Sequence, residues 1–318
     1  MDVVTVGETM TLFSPNEHGQ LRHAHSFSMK FAGAESNVAI GLSRLGHKAR
    51  WISRLGEDEF GDAMEIFIRG EGVDVSYVTR DEQAPTGVFF KEFRRPNDTR
   101  VYYYRKDSAA SQLTADHIKE EAIKGAVYLH ITGITPALGE SCQSVMDKAI
   151  WLAKANGVKI VFDPNVRLKI WKSEEEARRL IKRYIAESDI VLPGEAEAEF
   201  LFGKKDRAAY VEAFHDLGAD IVLMKVGKEG CLVSQRGKAV EHVSGFYVER
   251  VIDPIGAGDA FAAGVLSALL DGLSVEEAAR RGNAMGAIVT MVNGDVEGLP
   301  NRADLFSFMN GGSDDVTR

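Results

Sequence analysis

The segment Asp253-Pro254-Ile255-Gly256-Ala257-Gly258-Asp259 follows an apolar stretch and opens a run to Leu270 that reads as a helix. Gly256 and Gly258 let backbone N–H groups crowd around an anion, and a helix N-terminus adds about half a positive charge there. Phosphate is the natural guest. Asp259 is out of place in such a cradle, because a carboxylate repels phosphate. It reads either as a helix cap or as a base that takes a proton from a hydroxyl as phosphate arrives. Other phosphate and nucleophile motifs are absent. Position 261 is Phe where a dinucleotide G-x-G-x-x-G needs Gly, and no G-x-x-x-x-G-K-[ST], G-x-S-x-G or H-E-x-x-H occurs.

Something must hold this cradle. Short apolar runs alternate with helical patterns along the chain. Val3–Val6, Ala49–Ser53, Val127–Ile131, Lys159–Asp163, Ile190–Leu192 and Ile221–Lys225 read as strands. Ala34–Leu45, the stretch around Phe60–Ile68, Glu140–Ala155 and Glu174–Ala186 read as helices. Such alternation predicts an α/β fold with a mostly parallel sheet covered on both faces, and ligands at the carboxyl ends of its strands. Thr11–Phe31 and Thr86–Arg105 break the rhythm. The second reads as a hairpin of Val88–Phe93 and Thr99–Tyr104 around Pro96-Asn97-Asp98. Together they predict a small β-structure at one edge of the body. It is rich in cations (Arg22, Lys30, Lys91, Arg100, Arg105), which suggests an anionic ligand; Arg94 and Arg95 read as solvated turn residues. Residues 311–318 are expected to fray.

Composition narrows the function. The chain has 318 residues, 45% hydrophobic and 27% charged, enough for a large core without staples. Its two cysteines, Cys142 and Cys231, read as reduced buried thiols. A net charge of −9 argues against a nucleic-acid partner. No apolar run approaches a membrane span, and Met1–Gly7 reads as a strand rather than a leader. The expectation is a cytoplasmic protein with no membrane partner.

The segment Asp253–Asp259 resembles the carboxyl-terminal signature of the ribokinase/PfkB family of sugar kinases. Gly33-Ala34-Glu35-Ser36-Asn37-Val38-Ala39, Arg44-Leu45-Gly46 and Gly56-Glu57-Asp58-Glu59-Phe60-Gly61 resemble its amino-terminal signature. The likeness covers the whole chain and implies a ribokinase-like three-layer sandwich. Its body would comprise residues 1–10, 32–85 and 106–310, with a β lid from 11–31 and 86–105. It implies ATP-dependent phosphorylation of a sugar hydroxyl, with Asp259 as base and the N–H groups of Gly256, Ala257 and Gly258 as anion hole. Mg²⁺ would bridge the phosphates near Glu197, largely through water, in a motif whose usual Asn is here Gly194. Without the resemblance, Glu197 reads as a solvated helix face. Asn165, Arg167, Gly194, Lys225, Gly227, Gly230, Gly256 and Gly258 would meet ATP; alone, Lys225–Gly230 reads equally as a hairpin turn. Asp253 and the carbonyls of Ile255, Val289, Val292 and Gly294 align with a K⁺-type cation site.

Within the family the chain resembles the 2-keto-3-deoxygluconate kinases, through Tyr102-Tyr103-Tyr104-Arg105-Lys106, Ile131–Leu138, and Asp163-Pro164-Asn165-Val166-Arg167 followed by Trp171. An acid substrate needs a carboxylate partner, and Arg105 and Arg167 are suited to it; either could instead serve a structural ion pair or ATP. Gly33, Ala34, Asn37, Phe89, Tyr103 and Asp259 complete the expected sugar contacts, with Tyr102 and Tyr104 on the opposite strand face. A tyrosine-rich strand could also be plain lid packing. A fructokinase-like enzyme and a non-catalytic sugar binder are the alternatives. A homo-oligomer joined through the lid is expected.

Overall fold

The computed structural model describes residues 1–95 and 98–311. Its strands are β1 (Val3–Val6), β2 (Met10–Pro15), β3 (Phe27–Ala32), β4 (Ala49–Gly56), β5 (Val78–Asp81), β6 (Val88–Arg95), β7 (Asp98–Tyr104), β8 (Tyr128–Thr132), β9 (Lys159–Asp163), β10 (Ile190–Val191), β11 (Ile221–Lys225), β12 (Gly230–Gln235) and β13 (Glu241–Ser244). Its α-helices are α1 (Ala34–Arg44), α2 (Glu59–Gly70), α3 (Glu120–Ile123), α4 (Glu140–Ala155), α5 (Glu174–Ala186), α6 (Glu195–Phe202), α7 (Arg207–Leu217), α8 (Ala257–Leu270), α9 (Val275–Val289) and α10 (Arg302–Met309).

Nine strands form one sheet in the order β13-β12-β11-β10-β9-β8-β1-β4-β5. From β11 to β5 every pairing is parallel, and β12 alone is reversed, pairing antiparallel with both β11 and β13. Every residue of β1 is buried, as a strand covered on both faces requires. Val3 enters one core with Val38, Phe261, Val265 and Met285; Val4 and Val6 enter the other with Val145, Ile150 and Ile181. Helices α4 and α5 lie at the residues their periodicity marks, and α1 ends one residue early.

The other four strands form a separate sheet, β3-β2-β6-β7. It joins two distant stretches: β2 pairs with β6 in parallel, Thr11 opposite Val88. Strands β6 and β7 make the expected antiparallel pair, with a bulge between Phe93 and Arg95. Pro96 and Asn97, the centre of the expected turn, lie outside the described residues, as do 312–318, expected to fray. The expected attachment at one edge needs correction. The chain leaves β1, makes β2 and β3, and returns directly into α1. Because β1 lies inside the large sheet, between β8 and β4, the small sheet hangs over carboxyl strand ends rather than beside the body.

From the sequence no strand is expected at β12 or β13, although a hairpin turn at Lys225–Gly230 is allowed. Strand β11 turns back into β12 through Gly227–Glu229, so Lys225–Gly230 is also the bend of a hairpin. No helix among the described residues is long and apolar enough to cross a membrane.

Candidate active site

Helix α8 begins the site. Gly256 is its N-cap in the left-handed region, φ +82°, and a Cβ there would lie 2.9 Å from the Asp295 carbonyl oxygen. Conformation and space both demand glycine. Gly258 is different: a Cβ there would meet only Lys225 Nζ, at 3.6 Å. Among the described residues the N–H groups of Gly256 and Gly258 have no protein acceptor, whereas Ala257 N–H makes a long bond of 3.4 Å to the Pro254 carbonyl. The expected three-donor anion hole is therefore two free donors and one part-engaged.

Asp259 stands in the first turn of α8 but does not cap it. Its Oδ2 accepts a 2.7 Å hydrogen bond from the Asn37 side-chain amide on α1. Asn37, expected to meet substrate, thus orients the carboxylate, and its own Oδ1 is buried without a partner. Burial pushes the Asp259 carboxyl up to about 6; the Asn37 amide opposes this, Asp163 and Asp295 add to it, and Arg167 pulls the other way. A carboxyl held near neutral is suited to general-base work.

In the first turn of α1, Glu35 is fully buried. Its Oε1 accepts from the hydroxyls of Thr132 and Thr135, 2.6 and 3.2 Å away. Burial pushes it up to about 7. A Cβ at Gly7 would collide with this carboxyl at 2.2 Å, so Gly7 and Glu35 share one space. Gly33 is equally constrained, since a Cβ would fall 2.5 Å from the Glu8 carbonyl.

The strand ends supply the other wall. Asp163, at the end of β9, accepts from Lys225 Nζ at 2.7 Å and from Asn165 N–H at 3.1 Å. Asn165 sits at φ +35°, an uncommon conformation for a residue with a side chain. Glu197 is not a solvated helix face. Its Oε2 accepts from Gly194 N–H at 2.6 Å and its Oε1 from Val166 N–H at 2.8 Å, which ties the start of α6 to the loop after β9. Burial raises its pKa and Asp163 adds to this. The Lys225 ammonium is held above its usual range: burial works against it, but Asp163 and Glu197 prevail.

Asn37, Asp163, Glu197, Lys225, Gly256, Gly258 and Asp259 line one cavity of about 470 Å³. It brings together Gly33, Ala34, Asn37, Phe89, Tyr103, Arg105, Asn165, Arg167, Gly194, Glu197, Lys225, Ile255, Gly256, Gly258 and Asp259. Phe89 and Tyr103 pack 5.6 Å apart on the small sheet's inner face, while Tyr104 packs against Phe90 on the outer one. Glu8, Asp163 and Asp295 also line the cavity without a predicted role there, and so does Lys91, expected only as one cation of the basic small sheet. Glu8 and Asp295 sit in unremarkable sequence, and only the fold brings them here.

Several expectations need correction. Gly227 and Gly230 lie outside the cavity lining. Gly230, at φ +109°, is glycine by demand of the hairpin, since a Cβ would strike the Val243 carbonyl at 2.2 Å. Arg105 is not a free cation: it pairs at 2.5 Å with Glu8, whose other oxygen accepts from Ser108. Arg167 has no acidic partner among the described residues and is exposed. Arg105 and Arg167 also line an adjoining groove with Arg100 and Lys169, which contains no carboxylate.

The monovalent-cation site does not fit. Asp253, its one charged ligand, has Oδ1 on Ile255 N–H, and Oδ2 faces Lys91 Nζ at 3.4 Å. The Val289 carbonyl accepts from Val292 N–H at 3.2 Å. Beside Gly294, Lys30 Nζ donates to the Asn293 carbonyl at 3.0 Å. A second cation about 4 Å from an ammonium is repelled by about 4 kcal/mol at an effective dielectric of 20. A Mg²⁺ ion is a better fit to the donor set. No cluster of three or more His, Cys, Asp or Glu among the described residues makes a protein cage. Glu197 and Asp163 do line the cavity, as suits an ion that keeps its waters and binds mainly phosphate.

Comparison with known proteins follows the same outline. A model described as the pfkB family carbohydrate kinase matches residues 1–302. A 2-dehydro-3-deoxygluconokinase of Bacillus subtilis is 41% identical over 310 residues, 97% of this chain and 95% of that protein. A protein named probable fructokinase-2 from Arabidopsis thaliana is 33% identical over 317 residues, 96% and 95% of the two chains. Among solved structures, a PfkB protein from Polaromonas sp. JS666 superposes with a TM-score of 0.87 at 40% identity, covering 96% of this chain and 99% of that one. A fructokinase from Vibrio cholerae O395, with fructose, ADP and calcium bound, gives 0.86 at 28% identity over 97% and 99%. The match runs from the first strand to the last helix and takes in body and small sheet alike, so this chain belongs to the PfkB family of carbohydrate kinases.

Proposed function

We propose that this sugar kinase transfers the γ-phosphoryl group of ATP to the 6-hydroxyl of 2-keto-3-deoxygluconate, giving 2-keto-3-deoxy-6-phosphogluconate and ADP. The observation that carries the choice of an acid is Arg167, an exposed guanidinium without an acidic partner among the described residues, where the cavity opens into a groove lined by Arg100, Arg105 and Lys169. The far end, around Asp259, Asp163 and Glu197, is acidic apart from Lys225. A six-carbon acid laid along this gradient puts its carboxylate at the arginines and its last hydroxyl at Asp259. Arg105, held by Glu8, then serves as a fixed wall with spare N–H groups, and Arg167 supplies the uncompensated charge. The Bacillus subtilis relative, 41% identical, carries the same activity in its name.

Asp259 accepts the hydroxyl proton as the sugar oxygen forms its bond to phosphorus and the bond to the ADP oxygen breaks. The free N–H groups of Gly256 and Gly258 and the Lys225 ammonium face the transferring group and stabilise its charge. Bound Mg²⁺ supplies charge neutralisation at the phosphates. The small sheet is a lid: Phe89 and Tyr103 cover the sugar and exclude water that would otherwise take the phosphoryl group. Two copies pair through the outer faces of their lids. We place the enzyme in the cytoplasm, where the buried free thiols of Cys142 and Cys231 stay reduced.

The test is ADP release from the purified chain with ATP, Mg²⁺ and each of 2-keto-3-deoxygluconate, its galactonate epimer and fructose, with identification of the phosphorylated product. A higher kcat/KM for a keto-acid than for fructose is expected. Preference for fructose makes it a fructokinase, and no turnover of any sugar leaves a sugar-binding protein.

A further inference from the structure

Lys91 is a lysine on β6 whose side chain is 2% exposed, deeper than any other lysine of the small sheet. Its ammonium lies 3.0 Å from Asp295 Oδ1 and 3.4 Å from Asp253 Oδ2. Those two carboxylates flank the anion-hole loop. Asp253 fixes Ile255 N–H from within the loop, and the Asp295 backbone packs against Gly256. A buried ammonium is tolerated only where carboxylates meet it, and here each side needs the other.

We propose that the Lys91 ammonium is a built-in monovalent cation: it fills the place at Asp253 where an exchangeable ion would otherwise order the anion-hole loop. Two consequences distinguish it from a dissolved ion. It is present at full occupancy whatever the salt, so turnover does not depend on K⁺ or Na⁺. It is also carried by the strand that bears Phe89, two residues away on the same face, so ordering of the loop and seating of the lid over sugar are one event. Lys91 is a positioning residue in this account, acting through Asp253 and Asp295. The inference rests on the sugar-kinase assignment but not on which sugar is used.

The experiment compares the full-length chain and Lys91→Met in choline, sodium and potassium chloride at one ionic strength, reading initial rate with whichever sugar is turned over and the thermal midpoint without substrates. The native chain is expected to show rates within about twofold across the three salts, and a midpoint that K⁺ does not raise above choline. Lys91→Met keeps the stem and removes the charge. In choline it is expected to lose roughly 10²-fold in rate, and K⁺ should recover at least about tenfold and raise its midpoint. Strong activation of the native chain by K⁺, with a raised midpoint, would overturn the proposal, since an exchangeable site would then exist beside Lys91. So would a folded Lys91→Met that works normally in choline, or one that no salt restores. If Lys91→Met does not fold, the Lys91→Met/Asp295→Asn pair, which removes one charge of each sign, takes its place with the same expectations. Absence of turnover with any sugar defeats the kinase reading alone, because the midpoints still decide the cation.

Discussion

Two glycines two residues apart do different work. Gly256 is glycine for the fold, being left-handed and pressed against the Asp295 backbone. Gly258 faces the cavity, and its missing Cβ leaves room for a ligand rather than for a neighbour. Gly258→Ala should therefore melt within about 1 kcal/mol of the native chain, since Ala also favours the helix, yet lose turnover by at least about 10²-fold. Gly256→Ala should lose both stability and activity; calorimetry beside initial rates separates the two. Asp259 sets the pH response. As a base it works only when deprotonated, and with its carboxyl raised to about 6, kcat/KM should fall as pH drops through that value and level off above it. Asp259→Asn should abolish this acid limb together with most of kcat, measured as a pH–rate profile. Arg167→Ala should cost about 2–5 kcal/mol in kcat/KM for the keto-acid and much less for fructose, the range for truncating one member of a buried charge pair. Because Arg167 also holds the Asp259 pKa down, the acid limb of Arg167→Ala should move to higher pH. Equal losses for acid and neutral sugars would assign Arg167 to ATP or the fold.

Among the elements, the lid is tied to the body by side chains as well as by chain. Lys91 reaches Asp253 and Asp295, and Lys30 on β3 reaches Glu297 and the Asn293 carbonyl, so both halves of the small sheet grip the segment 293–297. Amide exchange across Val88–Tyr104 should slow on adding keto-acid and nucleotide, with little change in β8 or β9; unchanged exchange would make the sheet a fixed wall. Much of this architecture was legible beforehand. The parallel strands announced themselves as short apolar runs, and the helices by their period. The anion cradle was visible because glycine pairs before a helix are chemically conspicuous. What the sequence hid has a physical reason in each case. Strand β13, Glu-His-Val-Ser, is polar and exposed, and the apolar run of β12 is only Cys231–Val233 directly after a glycine-rich bend, so neither stands out as a strand. Arg105 looks like a free cation until Glu8, nearly a hundred residues away, is folded against it. Lys91 reads as one more charge on a basic flap, since burial of a lysine depends wholly on two aspartates far along the chain.

At the scale of the molecule, one face is only partly covered, where Phe13 meets Phe60 of the body at 5.7 Å. The outer side of the small sheet carries Phe13, Phe27, Phe90 and Tyr104, with Phe13 and Phe90 stacked at 5.3 Å and Tyr104 68% exposed. Its edge strands β3 and β7 have free sides. Light scattering is expected to give twice the chain mass of 34.8 kDa, and Tyr104→Lys to lower the dimer's stability. A native chain that stays monomeric at micromolar concentration would contradict this reading. The lid's anchorage bears also on the order in which the protein is made. Ribosomal synthesis delivers β2 and β3 early, β6 and β7 only after the first parallel strands, and Asp253 and Asp295 near the close. Until Asp295 has emerged, Lys91 lacks the nearer of its two counter-charges, and its burial is incompletely compensated. A nascent chain stalled before α8 would thus hold most of a Rossmann-like layer but an unlatched lid, and a frameshift in the last tenth of the message would disable the first-made part of the site from the far end of the polypeptide.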